Sequence, residues 1–205
     1  MAALDLASID SASASHDPFD YVIVPGVISS DVLPAIHQDF PKIDKPGSYP
    51  VSQLDYGPRF DALLDELRSA PFAERVGAKL GIELTGRPTM ITVRGQCRAT
   101  DGKIHTDSAG KLVTVLLYLN PSWEAPGGQL RLLHNDHDLE NYAAEVPPQE
   151  GTMVAFTCRP DAWHGHHSFE GQRRTIQLNW VRSRGYKMRE QVRHGLSASL
   201  KKITG

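Results

Sequence analysis

Two cysteines in 205 residues, Cys97 and Cys158, are too few for a disulfide framework, and neither has a neighbouring partner motif that would make a zinc site. They fit reduced thiols, and the N-terminus lacks the basic start and apolar run of a secretory signal, so the expected location is cytoplasmic. No stretch of about 18 uncharged apolar residues exists, which leaves out a transmembrane helix. Charge of one sign is missing as well. Lys+Arg number 22 against 24 Asp+Glu, a formal net charge of −2, so no strong field favours nucleic acid or an anionic membrane. No internal repeat is visible, which argues against a solenoid. What remains is a chain long enough for one domain that buries about 70% of the surface its unfolded form exposes. Its default partner is a small molecule or another protein.

Residues 1–16, rich in Ser and Ala, read as a disordered tail. Residues 17–205 read as a single domain. It opens with the strand pattern Tyr21-Val22-Ile23-Val24, closed by Pro25-Gly26. Ser29-Ser30-Asp31 offers N-caps for a helix through Gln38, and a Pro- and Gly-rich loop from Pro41 to Pro58 follows. From Arg59 to Leu80 apolar residues recur at helical spacing, in Phe60, Leu63, Leu64 and Leu67 and again after Pro71 in Phe72, Val76 and Leu80. Near Thr89 the period changes. Short strands are predicted over Met90–Val93, Leu112–Leu119, Gly128–Leu133, Thr152–Thr157 and Thr175–Val181, with turn signals between them. Two helical regions followed by about eight short strands, the core strands lying at about 89–182, imply an α+β double-sheet jelly roll. A final amphipathic segment from Lys187 to Ile203 is read as an outer helix.

The chemistry concentrates in Gly102-Lys103-Ile104-His105-Thr106-Asp107. In an extended segment, alternate side chains share a face, so His105 and Asp107 can grip one metal ion. A second imidazole source lies at Trp163-His164-Gly165-His166-His167, ahead of the alternating run Thr175 to Val181. Two histidines and one carboxylate on one side of an ion leave the opposite positions open, the ligand set of non-haem Fe(II) oxygenases. Spacing alone leaves His164, His166 and His167 in competition for the third place; alternation puts His164 and His166 on one face and His167 on the other.

From about Tyr21 to Val181 the chain resembles the 2-oxoglutarate and Fe(II)-dependent dioxygenases of the prolyl 4-hydroxylase-like type, whose core is a double-stranded β-helix. The resemblance rests on His105-Thr106-Asp107, the strand Val113 to Asn120, the Gly127-Gly128-Gln129-Leu130-Arg131-Leu132 hairpin, and Trp163-His164 through Arg174 to Trp180. It implies Fe(II) held by His105, Asp107 and His164, with 2-oxoglutarate and O2 as co-substrates, and leaves a need for L-ascorbate open. It also implies that Arg174 binds the distal carboxylate of 2-oxoglutarate, which guanidinium meets with two parallel hydrogen bonds. Alternation sets Arg174 on the same face as Ile176, Leu178 and Trp180, read as inward. Tyr118 matches a position whose phenol helps hold the same co-substrate, and a core tyrosine is the alternative for it. The implied reaction is hydroxylation of a C–H bond in a peptide, protein or small molecule, coupled to decarboxylation of 2-oxoglutarate to succinate and CO2.

The segment Arg94 to Asp101, just before the first ligands, lacks the aromatic residue and glycine-rich turn common in that family. Arg94, Gln96 and Arg98 alternate on one of its faces, as substrate donors or as solvated strand residues. His134-Asn135-Asp136-His137 reads as a polar hairpin tip in preference to a second metal site, and the basic residues of the last segment as a solvated face. Two other readings stand beside the enzyme: a non-catalytic β-barrel that binds or senses, and a cupin-type metalloenzyme.

Overall fold

A computed structural model describes residues 2–188. Among them, four α-helices precede the body of the sheet. They are Leu6–Ser11 (α1), Leu33–Asp39 (α2), Pro58–Arg68 (α3) and Ala70–Leu80 (α4). Ser69 separates α3 from α4 with an extended backbone, and its side chain accepts the Phe72 N–H, capping the helix whose first turn holds Pro71. Gly81, in the left-handed region at φ 65°, ends α4 where a side chain would be strained.

The strands form two layers. A seven-stranded sheet takes Ala14–Ser15 (β1), Tyr21–Val24 (β2), Tyr49–Pro50 (β3), Thr89–Cys97 (β4), Lys111–Tyr118 (β5), Met153–Thr157 (β8) and Gly171–Val181 (β10). Their order across the sheet is β1-β2-β8-β5-β10-β4-β3. A three-stranded sheet, ordered β7-β6-β9, takes Leu130–Leu133 (β6), Tyr142–Val146 (β7) and His164–Gly165 (β9). All the pairings are antiparallel. The expected α+β class and jelly-roll core are therefore present. The segment predicted as an outer helix over 187–203 lies, but for its first two residues, outside the described residues.

The large sheet buries both of its faces, which explains why β8 is buried throughout and apolar from Met153 to Phe156 instead of alternating. One face, with Val113, Val115, Leu117, Ile176, Leu178 and Trp180, packs against Phe60, Leu63, Leu64, Phe72 and Val76 of α3 and α4. The other, with Tyr21, Tyr118, Val154 and Phe156, faces Leu130, Leu132 and Val146 of the small sheet. The space between the two sheets is where a cavity can form.

Residues 2–16, whose composition suggests a disordered tail, are packed against the rest of the chain. Ala3, Leu4 and Ile9 are buried, and the Glu66 carboxylate of α3 accepts the N–H groups of Ala3 and Leu4. Asp5 caps α1, and Lys79 of α4 donates to the carbonyls of Asp10 and Ala12 at its other end. A six-residue helix is too short to stand alone, so these tertiary contacts hold it. Three apolar side chains decided against a low-complexity composition. Ile9 is fully buried, so Ile9→Ala should lower stability by about 2–5 kcal/mol. Urea unfolding measures this; an unchanged midpoint would return the segment to a loose tail.

Candidate metal centre

His105 and Asp107 do not sit in a regular strand. They lie in a segment bonded to the end of β9 by the His166 N–H, which donates to the Gly102 carbonyl at 2.8 Å, and to β9 itself, where the His105 N–H donates to the His164 carbonyl and the His164 N–H to the His105 carbonyl, both at 3.0 Å. This pair of backbone bonds faces two imidazoles at each other, ring centroids 4.3 Å apart. Gly165 makes the approach feasible. A Cβ there would lie 2.9 Å from the Gly102 carbonyl oxygen and 3.2 Å from the Ile104 Cα.

Both imidazoles are oriented by carbonyls. His105 Nδ1–H donates to the Lys103 carbonyl at 2.8 Å and His164 Nδ1–H to the Ala162 carbonyl at 3.0 Å. A carbonyl only accepts, so the proton is on Nδ1 and the Nε2 lone pair of each ring is free to bind a metal. Asp107 completes the group. One ligand atom from each of His105, Asp107 and His164 lies within 4.8 Å of the others. Two neutral imidazoles and a carboxylate fit a divalent first-row metal.

The carboxylate is held from both sides. Lys111 Nζ lies 2.6 Å from Oδ1, and the Thr114 hydroxyl donates to Oδ2 while accepting from Asn179 Nδ2 at 2.6 Å. Burial pushes the Asp107 carboxyl up, but the Lys111 ammonium, the His164 ring and the hydrogen bonds from Lys111 and Thr114 outweigh it and hold the group below its ordinary range. Cys158, whose Sγ lies 3.3 Å from the Thr114 hydroxyl, is pushed up to about 12 by burial and then by the Asp107 charge, so it stays a thiol. Burial, followed by His105, pulls His164 down to about 4.

The triad opens on a cavity of ≈ 100 Å³ lined also by Arg94, His166, Arg173, Thr175 and Gln177. Arg173 is buried, donating through Nε to the Gly128 carbonyl at 2.9 Å and through Nη2 to the Tyr118 hydroxyl at 3.4 Å. The Thr175 hydroxyl is buried without a partner among the described residues. A second guanidinium, Arg94, shares the cavity wall. Two guanidinium groups and an orphaned donor are suited to an anion.

The structure thus sets Arg174 outside the cavity, contrary to expectation. Its guanidinium lies 5.0 Å over the Phe40 ring. The alternation of Arg174 with Ile176, Leu178 and Trp180 is sound, but that apolar face packs on the helices. The polar face Arg173, Thr175, Gln177 and Asn179 looks between the sheets. An irregular pairing between Gln172 and Thr175, where Arg173 and Arg174 together face Gly95 of β4, marks the spot. Tyr118 is buried and does not line the cavity; burial raises its phenol despite the opposing Arg173 charge, and its contact is with that arginine.

Of the competing histidines, His166 lines the cavity, donating Nδ1–H to the His167 carbonyl at 2.8 Å, and is not among the triad. His167 pairs with Glu140 and Arg131 of the small-sheet side. His134 to His137 form an exposed turn in which Asn135 accepts the N–H groups of His137 and Asp138. Sequence reasoning missed Lys111, Thr114, Asn179 and Thr175. A signal for Thr175 and Asn179 was available in the alternating polar residues of β10; Lys111 and Thr114, three apart on β5, offer no such alternation.

Residues 96–182 match the family model described as the 2OG-Fe(II) oxygenase superfamily. The match spans less than half of the chain. The 2OG-Fe(II) oxygenase family implies Fe(II) with 2-oxoglutarate and O2 as co-substrates, and the matched span holds the entire triad. A search of curated proteins by sequence finds no match. Among solved structures, a 2OG-Fe(II) oxygenase family oxidoreductase from Burkholderia pseudomallei is similar, at TM-score 0.53 and 16% identity over 80% of this chain and 84% of that one. A Pseudomonas putida prolyl-4-hydroxylase gives 0.50 and 18% over 87% and 94%. A viral collagen prolyl hydroxylase from Paramecium Bursaria Chlorella virus-1 gives 0.51 and 14% over 80% and 95%. At these identities the likeness is one of fold.

Protonation of the buried rings couples the candidate metal centre to stability. Burial, then Arg173, pulls His166 to about 4, as burial and His105 do His164. An unfolded chain carries histidine near 6.5, so between these values it binds protons that the native metal-free protein does not. The stability is complete above about pH 7 and is lost as pH falls toward 4, at about 1.4 kcal/mol per pH unit for each ring. Urea midpoints of metal-free His166→Gln should therefore drop less from pH 7 to pH 5 than those of the unaltered chain.

Proposed function

We propose that the protein is an Fe(II)- and 2-oxoglutarate-dependent dioxygenase that hydroxylates a C–H bond of a peptide, protein or small molecule. The observation that carries this reading is one cavity that unites the His105, Asp107 and His164 triad with a buried guanidinium. The three side chains would hold Fe(II) on one side and leave the cavity side open. Bound there with 2-oxoglutarate and O2, the iron supplies the redox chemistry that couples decarboxylation to succinate and CO2 with hydroxylation of the substrate. Arg173 takes the role that the sequence suggested for Arg174, meeting the distal carboxylate of 2-oxoglutarate, and the unpartnered Thr175 hydroxyl is a second donor for it. Tyr118 acts on the guanidinium, which its hydroxyl and the Gly128 carbonyl hold in place. Leu116, Leu130 and Phe156 make the cavity's apolar wall and keep water from that ion pair. A peptidyl proline is the first substrate to try, given the names of two similar structures.

Protein supplied with Fe(II), ascorbate, O2 and 2-oxoglutarate should form succinate above background even without its substrate. No succinate, together with no 2-oxoglutarate binding in an anaerobic titration of the Fe(II)-loaded protein, would end this reading. His105→Ala, Asp107→Ala and His164→Ala should each abolish turnover.

Arginine substitutions separate the two faces of β10. Loss of one member of a desolvated charge pair costs about 2–5 kcal/mol. Arg173→Met should accordingly raise the KM for 2-oxoglutarate about 30-fold or more, whereas Arg174→Met should change it little. The reverse result would mean that the polar face of β10 does not bind the co-substrate.

A further inference from the structure

The two histidines of the triad present free Nε2 lone pairs, whereas Asp107 is already engaged at both oxygens. Both of its oxygens already have protein partners: the Lys111 ammonium 2.6 Å from Oδ1, and the Thr114 hydroxyl on Oδ2. These partners differ in kind. Thr114 is neutral and is itself held by Asn179, so it fixes the direction of the carboxylate without adding charge. Lys111 brings a full positive charge to a place where a divalent cation must bind. Its side chain is 14% exposed and that of Asp107 is 8% exposed, so water and salt screen the pair weakly.

We propose that Lys111 is a resident competitor for the metal at Asp107 and sets the metal affinity of the triad. The proposal rests on the reading of His105, Asp107 and His164 as the metal site. A carboxylate oxygen has two lone pairs, so the metal either shares Asp107 with the ammonium or displaces it. In both arrangements the cost of bringing a second cation to one carboxylate is subtracted from binding. Lys111 is thus a positioning residue that acts through Asp107, and the site is loaded less tightly than its three ligands alone would allow. A purely structural role has the opposite consequence. If the ammonium only anchored the turn from Asp107 to Lys111, where the Lys111 N–H donates to the Ser108 carbonyl at 2.9 Å, its removal would loosen the ligand and weaken binding.

The test is a Mn(II) titration of the full metal-free chain, read by calorimetry or by the free-ion electron paramagnetic resonance signal. Lys111→Met and Lys111→Gln should each bind Mn(II) at least about tenfold more tightly, since both remove the charge. Lys111→Arg, which keeps it, should stay within about threefold of the unaltered chain. The rise in Tm on saturation with Mn(II) should also be larger in Lys111→Met, because its metal-free form leaves the Asp107 charge unpaired and its bound form gains affinity. If Lys111→Met fails to fold, Lys111→Gln against Lys111→Arg makes the same comparison. Equal or weaker Mn(II) binding in the neutral variants, with His105-dependent binding in the unaltered chain, overturns the proposal alone. No binding in the unaltered chain and none in the neutral variants overturns the reading of the triad and the proposal with it.

Discussion

The centre depends on two backbone hydrogen bonds between His105 and His164. Side chains set the chemistry, but these bonds set the distance. One partner belongs to an extended segment with no other strand pairing, and the other opens a two-residue strand in the small sheet. Neither segment would hold its imidazole in place alone. Once they are joined, the carbonyls of Lys103 and Ala162 orient each ring, and Asp107, two residues on, reaches the same point. The large sheet supplies what the segments lack: Thr114 of β5 and Asn179 of β10 fix the carboxylate from a rigid surface.

That surface is unusual in carrying buried polar side chains at alternate positions beside an apolar run. A buried hydroxyl or guanidinium without its partners is costly, so such a stripe persists where something compensates it. Here Asn179 and Thr114 compensate each other, Arg173 is met by Gly128 and Tyr118, and Thr175 is met by nothing among the described residues. The unmet hydroxyl and the two arginines lie on the wall of the same cavity as the triad. Polarity on one strand face therefore marks the ligand side, and apolarity marks the side of the helices.

The sequence was legible where local pattern and burial agree. The amphipathic helices α3 and α4 repeat leucine and phenylalanine on one side and end at Ser69 and Gly81, and they were readable for that reason. The pairing of His105 and Asp107 was readable because two residues of an extended chain share a face whatever they pair with. The choice between Arg173 and Arg174 was not. Alternation says which residues share a face but not which face lines the cavity; that signal is the polarity of Arg173, Thr175, Gln177 and Asn179, opposite the apolar face read as inward. Strand β7 was missed because Tyr142–Val146 alternates weakly and is largely exposed. The N-terminal segment misled in the other direction: its composition is that of a loose chain, and three side chains plus one distant carboxylate, Glu66, override it.

Gly165 carries a consequence for how variants of this chain are judged. It contributes no ligand atom, yet any larger residue there presses on the backbone at Gly102 and Ile104 and drives apart the two segments that bear the imidazoles. A chain can then keep His105, Asp107 and His164 and still lose the geometry that brings them together. Inventories of ligands alone will count such a protein as competent, whereas the gap between two main chains decides whether it is.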